Sequence, residues 1–151
     1  MGNRELDEID RKLIILLQDD ARMSVAKMAR EIDTLTENAI RYRIDRLESE
    51  GYILKCTVRL DPLMFGKNIG AFFNLNVLPE HLDSTVEYLK KIDHLTDVYI
   101  TTGRSNITAF GYFDNREEIT RFVTEKLKRI RMVDYDIATV LRKVKYEPFS
   151  I

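Results

Sequence analysis

Thr36-Glu37-Asn38-Ala39-Ile40-Arg41-Tyr42-Arg43-Ile44-Asp45-Arg46-Leu47-Glu48-Ser49-Glu50-Gly51 is a helix with two different sides. Thr36 is a good N-cap, Glu37 in the first turn suits the positive end of the helix dipole, and Gly51 stops the helix after about Glu50. At about 100° per residue, with Ile40 at zero, Ile44 falls near 40° and Leu47 near −20°, so these three mark the buried side. Tyr42 falls near 200°, Asn38 near 160° and Arg46 near 240°, with Arg41 and Arg43 on the shoulders at about 100° and 300°. Such a face offers a DNA major groove the right chemistry. Asn38 can pair bidentately with adenine and Arg41 with guanine, and Tyr42 lies beside Asn38 on the same outer face. Arg43 and Arg46 have the charge to neutralise phosphates. A solvated polar helix face is the plain alternative, and Asp45 and Glu48 favour it because carboxylates repel phosphates.

The residues upstream predict two more helices. One starts near Asp7 and buries Ile9, Leu13, Leu16 and Leu17 at helical intervals. Ser24 caps a second, short helix in which Val25, Met28, Ala29 and Ile32 form one apolar stripe. Asp33, Thr34 and Leu35 make the turn into the third. Two short helices joined by a three-residue turn, the second with a polar outer face, is the helix-turn-helix pattern.

Downstream, Leu54, Cys56, Val58 and Leu60 alternate with Lys55, Thr57 and Arg59, which predicts a strand over 52–60, as in a winged helix. Lys55 and Arg59 on its polar side are further candidates for holding the DNA backbone. Pro62 to Asn68 reads as a linker with a short helical turn. The pattern then becomes strand (Ile69–Val77), helix (His81 to Asp93), strand (Thr96 to Thr102), turn (Gly103 to Asn106), strand (Ile107–Phe113), a helix capped by Asn115, and a last strand from Met132 to Val144. The fold class is therefore α+β, a winged helix-turn-helix followed by a ferredoxin-like βαββαβ domain, with both helices on one face of an antiparallel sheet. The expected division is 1–60 for the DNA-binding head, 61–68 for the linker and 69–151 for the second domain. The helix-free sheet face would carry Phe72, Asn74, Phe110 and Tyr112, with Tyr99 and Val140 nearby. An apolar patch of that kind asks for a cover, and a second copy of the chain is the commonest one.

The bulk numbers exclude some classes. Of 151 residues, 44% are apolar and 32% charged, the profile of an ordinary globular chain. The net charge is −1, so any nucleic-acid contact must come from a local patch. No apolar run is long enough to span a bilayer, and no membrane partner is expected. The N-terminus lacks a signal core and the one cysteine, Cys56, cannot close an internal disulfide, which together suggest the cytoplasm. The two histidines, His81 and His94, have no partners at metal-ligand spacing, and no phosphate loop or nucleophile elbow occurs. Neither an enzyme nor a cofactor or metal protein is expected. An RNA-binding module is a rival, because the RNA-recognition fold is also βαββαβ and stacks bases on sheet aromatics. Thr108-Ala109-Phe110-Gly111-Tyr112-Phe113 resembles its aromatic strand only faintly.

Several blocks together carry a family likeness. They are Leu6-Asp7-Glu8-Ile9-Asp10-Arg11-Lys12-Leu13, then Arg43-Ile44-Asp45-Arg46-Leu47-Glu48-Ser49-Glu50-Gly51-Tyr52-Ile53, then Leu60-Asp61-Pro62 with Phe65-Gly66, and Thr101-Thr102-Gly103. The chain resembles the Lrp/AsnC (feast/famine) regulators over nearly its whole length. The resemblance implies a transcriptional regulator binding partly palindromic promoter sites on double-stranded DNA. It implies a homodimer, assembling to a tetramer or octamer, and in many members an amino-acid effector near the Thr-Gly hairpin. The corresponding candidates here are Thr102, Gly103, Arg104, Ser105 and Asn106. The family hairpin is usually Gly-Asp-x-Asp, whereas this one is Gly103-Arg104-Ser105-Asn106, without either carboxylate. Arg104 suits a carboxylate or another small anionic metabolite. Asp134 and Asp136, two apart on the last strand, are candidates to supply the missing negative charge.

Overall fold

A computed structural model describes residues 5–145 and Phe149. The chain divides into two compact units, the first made of the residues up to Arg59 together with the C-terminal residues from 146 on, and the second spanning Leu60–Lys145.

The first unit is a trihelical head: α1 (Glu8–Asp19), α2 (Val25–Ile32) and α3 (Glu37–Ser49). Each begins at a side-chain cap. Asp7 accepts from the Asp10 N–H, Ser24 from the Lys27 N–H and Thr36 from the Ala39 N–H. Leu13, Met28, Ile32 and Ile40 form its buried core, with Ile9, Leu16, Leu17, Val25, Ala29 and Ile44 packed around them. The turn between α2 and α3 is tight enough to force Asp33 to φ 53°, a conformation that short polar residues tolerate best.

Residues 52–60 do not form the expected strand. A strand needs a neighbouring strand to bond its N–H and C=O groups, and this segment joins no ladder among the described residues. Its apolar parity is left open, with Leu54 92% exposed. The alternation is real, but among the described residues no ladder makes it a wing.

The second unit holds β1 (Ile69–Val77), α4 (Leu82–Leu89), β2 (Leu95–Ile100), β3 (Ile107–Phe113), α5 (Arg116–Glu125) and β4 (Met132–Thr139), with short 3-10 turns before β1, before α4 and after α5. The sheet is antiparallel in the order β2-β3-β1-β4, the split order of a ferredoxin-like fold. Strict alternation in β1 and β3 sends Ala71, Phe73, Leu75, Val77, Ile107, Ala109 and Phe113 to one side. There they form a single core with Leu89 at the end of α4, with Ile92 just after it, and with Ile119 and Phe122 of α5. Both helices thus lie on one face.

Two boundaries differ from the periodicity. The last strand stops at Thr139, not Val144, because its partner β1 begins at Ile69; Val140 makes the final bond, to the Gly70 carbonyl. The first helix of this unit ends at Leu89, not Asp93, because a tighter turn follows, with Ile92 N–H donating to the Leu89 carbonyl so that Ile92 enters the core. Gly111 allows β3 to run against the His94 carbonyl, with which a Cβ there would overlap.

Candidate nucleic-acid interface and ligand pocket

The two sides of α3 separate as the helical angles require. Ile40 and Leu47 are fully buried, while Asn38, Arg41 and Tyr42 are exposed. Tyr42, at 69% exposure, is the most prominent aromatic of the head. Arg41 Nη2 lies 4.0 Å from Glu37 Oε2, with both side chains more than half exposed, so this pair constrains Arg41 little. Lys55 and Arg59 are exposed on the segment after α3. The second half of α3 carries Asp45, Glu48 and Glu50, so only its N-terminal half is compatible with a phosphate-lined groove.

Arg43 and Arg46 are employed otherwise than expected. Arg43 Nη1 donates to Asp7 Oδ2 and to Asp10 Oδ1, both at 2.7 Å, and Arg46 Nη2 donates to Asp10 Oδ2. Their side chains are 21% and 15% exposed, and Asp10 is 1% exposed. Asp10 also accepts from the Asp7 N–H, the second half of a capping box at the start of α1. Both guanidinium groups are therefore committed to fastening α3 onto α1. Arg46 Nε is buried without a hydrogen-bond partner among the described residues, its nearest carboxylate oxygen being Glu50 Oε2 at 4.0 Å, a further sign that this side chain is held inside. The Arg43 guanidinium holds the Asp7 carboxyl below its ordinary value, and the two carboxylates hold Arg43 protonated more firmly still. Asp10 was not foreseen as a site residue. Its spacing from Leu13 and Leu17 puts it on the buried stripe, a polar residue where a polar residue needs a reason.

At one end of the sheet, Asn74, Arg104, Ser105, Asp134, Tyr135 and Asp136 line a cavity of about 240 Å³. The register explains the meeting: Asn74 pairs with Asp136 and Asn76 with Asp134, and the β2–β3 turn reaches over from β3. Arg104 Nη2 donates to Asp134 Oδ2 at 3.3 Å. Arg104, Ser105, Asp134 and Asp136 are thus brought together as expected, while Thr102 and Gly103 are exposed in the turn and do not line the cavity. Asn74 and Tyr135 line it without having been foreseen there.

Asn106 is employed elsewhere. Its Oδ1 accepts from the Val77 N–H at 2.9 Å and its Nδ2 donates to the Val77 carbonyl at 2.7 Å. The side chain imitates a backbone pair and extends the β1–β3 ladder by one step, so the Asn106 amide is spent on the scaffold.

On the sheet face away from the helices, Phe72 and Phe110 pack at 4.6 Å between ring centroids, and Phe110 meets Tyr112 edge-on at 5.0 Å. Thr108 Oγ1 donates to Asn74 Oδ1 at 3.0 Å. Phe72 and Tyr99 remain 41% and 55% exposed.

Comparison with known proteins covers almost the whole chain. The AsnC-type helix-turn-helix domain matches residues 6–48, and the Lrp/AsnC ligand binding domain matches residues 70–148. An HTH-type transcriptional regulator of Pyrococcus horikoshii is 34% identical over 93% of this chain and 89% of its own length. The HTH-type transcriptional regulator Ptr1 of Methanocaldococcus jannaschii is 28% identical over 93% and 95%. Among solved structures, Escherichia coli AsnC superposes with a TM-score of 0.90 at 20% identity over 97% of this chain and 99% of its own. A regulator from Neisseria meningitidis, solved as a complex with L-Met, reaches 0.88 at 18% identity over 95% and 94%. With a head and a ligand-binding domain in the same order and at the same positions, this chain belongs to the Lrp/AsnC family of transcriptional regulators.

Proposed function

We propose that this regulator reads duplex DNA with the N-terminal half of α3. Asn38, Arg41 and Tyr42 approach base edges, while Lys55 and Arg59 hold backbone. The observation that carries this reading is the division of labour along α3: the readers stand in solvent while Arg43 and Arg46 are withdrawn onto Asp10. The sites would be partly palindromic, because a homodimer presents two copies of α3. The exposed Phe72–Phe110–Tyr112 face supports a dimer, with tetramers or octamers built from it, in the cytoplasm. Footprinting and band-shift titration of Arg41→Ala test the reader. Relaxed preference at one base step supports it, and unchanged preference rejects it.

The cavity at Arg104 is the proposed effector site, and an amino acid is the class that fits. Its carboxylate would meet the Arg104 guanidinium and its ammonium Asp136 or Asp134. The exposed Arg104–Asp134 pair costs little to open. The L-Met complex of the Neisseria meningitidis neighbour supports an amino acid over other anions. Calorimetry against a panel of amino acids tests this, and a panel in which none binds rejects it. The described residues include no helix long and apolar enough to cross a membrane.

A further inference from the structure

On the helical side of the second unit, well apart in sequence from the hairpin, lies another cavity, of about 320 Å³. Its lining is His81, Ser84, Thr85, Tyr88, Arg129, Ile130 and Arg131. The composition is one-sided: an imidazole, two guanidinium groups and three hydroxyls, with no carboxylate. The chain as a whole carries 24 basic and 25 acidic residues, so an acid-free pocket with two arginines is a local departure. Neither Arg129 nor Arg131 makes an ion pair or a side-chain hydrogen bond among the described residues.

The floor of the cavity gives a second observation. Thr85 is one of only two buried polar residues among those described, at 5% exposure, and its hydroxyl has no hydrogen-bond partner among the described residues. The other, Asp10, is fully paired. Thr85 Oγ1 is not among the sealed, unpartnered atoms, so it opens onto the cavity that its residue lines. Ser84 and Tyr88 differ from it. Ser84 Oγ donates to the His81 carbonyl at 3.0 Å and Tyr88 OH to the Lys126 carbonyl at 3.3 Å, so they shape the wall. The lining donors without a hydrogen-bond partner among the described residues are the Thr85 hydroxyl, the His81 ring and the two guanidinium groups of the exposed Arg129 and Arg131. A buried polar group without a partner is costly unless a ligand or water completes it.

We propose that this cavity binds a small phosphorylated metabolite, with the phosphate held by Arg129 and Arg131 and one oxygen accepting from Thr85. Two planar forks and a hydroxyl match the several oxygens of a phosphate monoester dianion, whereas a single carboxylate would use one fork. The volume is at the lower end of the range for small-molecule sites, enough for a phosphate with a small body attached. The site is distinct from the proposed amino-acid pocket and shares no residue with it.

The test is calorimetric titration of the full-length protein with ribose 5-phosphate, inorganic phosphate and citrate. Ribose 5-phosphate should bind, and Arg129→Gln with Arg131→Gln should weaken it by about tenfold or more, as expected for lost charge-assisted forks. Thr85→Val, close in shape, should weaken it with the fold intact by circular dichroism, while Arg104→Ala should leave it unchanged. The proposal is overturned if ribose 5-phosphate does not bind, if the arginine pair makes no difference, or if citrate binds as well and with the same dependence. It is equally overturned if the double variant loses only DNA affinity, which would make this face a contact for the duplex backbone. Because Arg104→Ala separates the two cavities, failure here leaves the amino-acid site standing.

Discussion

Asp10 Oδ1 accepts a hydrogen bond from Arg43 Nη1 at 2.7 Å, across the interface between the first and third helices of the head. With Arg46 on its other oxygen, this carboxylate is a buried anion between two cations. Removing it leaves Arg43 with Asp7 alone and Arg46, 15% exposed, with only the distant Glu50 carboxylate. Asp10→Ala should therefore cost about 3–5 kcal/mol of stability, the usual result of breaking a buried pair from one side. Urea unfolding of the wild type and variant measures this, and a loss below about 1 kcal/mol would show the cluster to be solvent-screened.

Arg46→Ala should lower stability and leave the salt dependence of DNA binding unchanged, since its charge is spent internally. Lys55→Ala should do the reverse, flattening the slope of log K against log salt by about one phosphate. Band-shift titrations across a salt series distinguish the two. A flattened slope for Arg46→Ala would return that residue to the DNA.

Arg41→Ala should cost about 1–3 kcal/mol of specific binding with no change in unfolding midpoint, because the side chain is exposed and weakly paired. A matching loss on random-sequence DNA would mean that Arg41 holds phosphate and does not read bases.

Stability should fall in acid, in a window set by Asp7 and Glu118. Arg43 lowers the first, and the Asp114 backbone N–H, ahead of His94, lowers the second. Both folded values lie beneath the ordinary ones of 3.8 and 4.5. Their contribution is fully present above those values and is lost as pH falls through the lowered ones. Lys67, raised above 10.5 by Asp114, has the opposite sign: its contribution is present below that value and disappears as pH rises through the elevated one. Melting temperatures from pH 2 to 7 should show a shallower acid limb for Asp7→Asn than for the wild type.

Phe72→Glu should leave the second unit folded and reduce the assembly, as read by sedimentation. The position faces away from the core and is already 41% exposed. An unchanged sedimentation coefficient would mean that this face is not the interface.

Much of this was legible in the sequence because single elements carry their own signals. The alternation of Ala71, Phe73, Leu75 and Val77 fixed which side of β1 is buried, and the caps Ser24, Thr36 and Asn115 fixed where helices begin. What escaped depends on partners. Residues 52–60 have a strand's alternation, but pairing is a property of two segments, and a period of two reports on one of them alone. Arg43 and Arg46 sit on a flank of α3 whose neighbour is set by how α1 crosses it. A cation there reads the same whether it faces a phosphate or a buried aspartate. Asn106 was misread for a related reason: an amide in a turn looks available until the Val77 backbone is seen to occupy it.

That clamp of Asn106 on Val77 also makes the loop before it a replaceable cassette. Because the closing amide and the Thr101 N–H to Asn106 carbonyl bond hold the base of the turn, residues 102, 104 and 105 can vary without moving the strands, while Gly103 at φ 115° stays glycine. A library randomised at those three positions, with Gly103 and Asn106 retained, would explore new ligand preferences on an unchanged body, and binders of other metabolites could be selected from it.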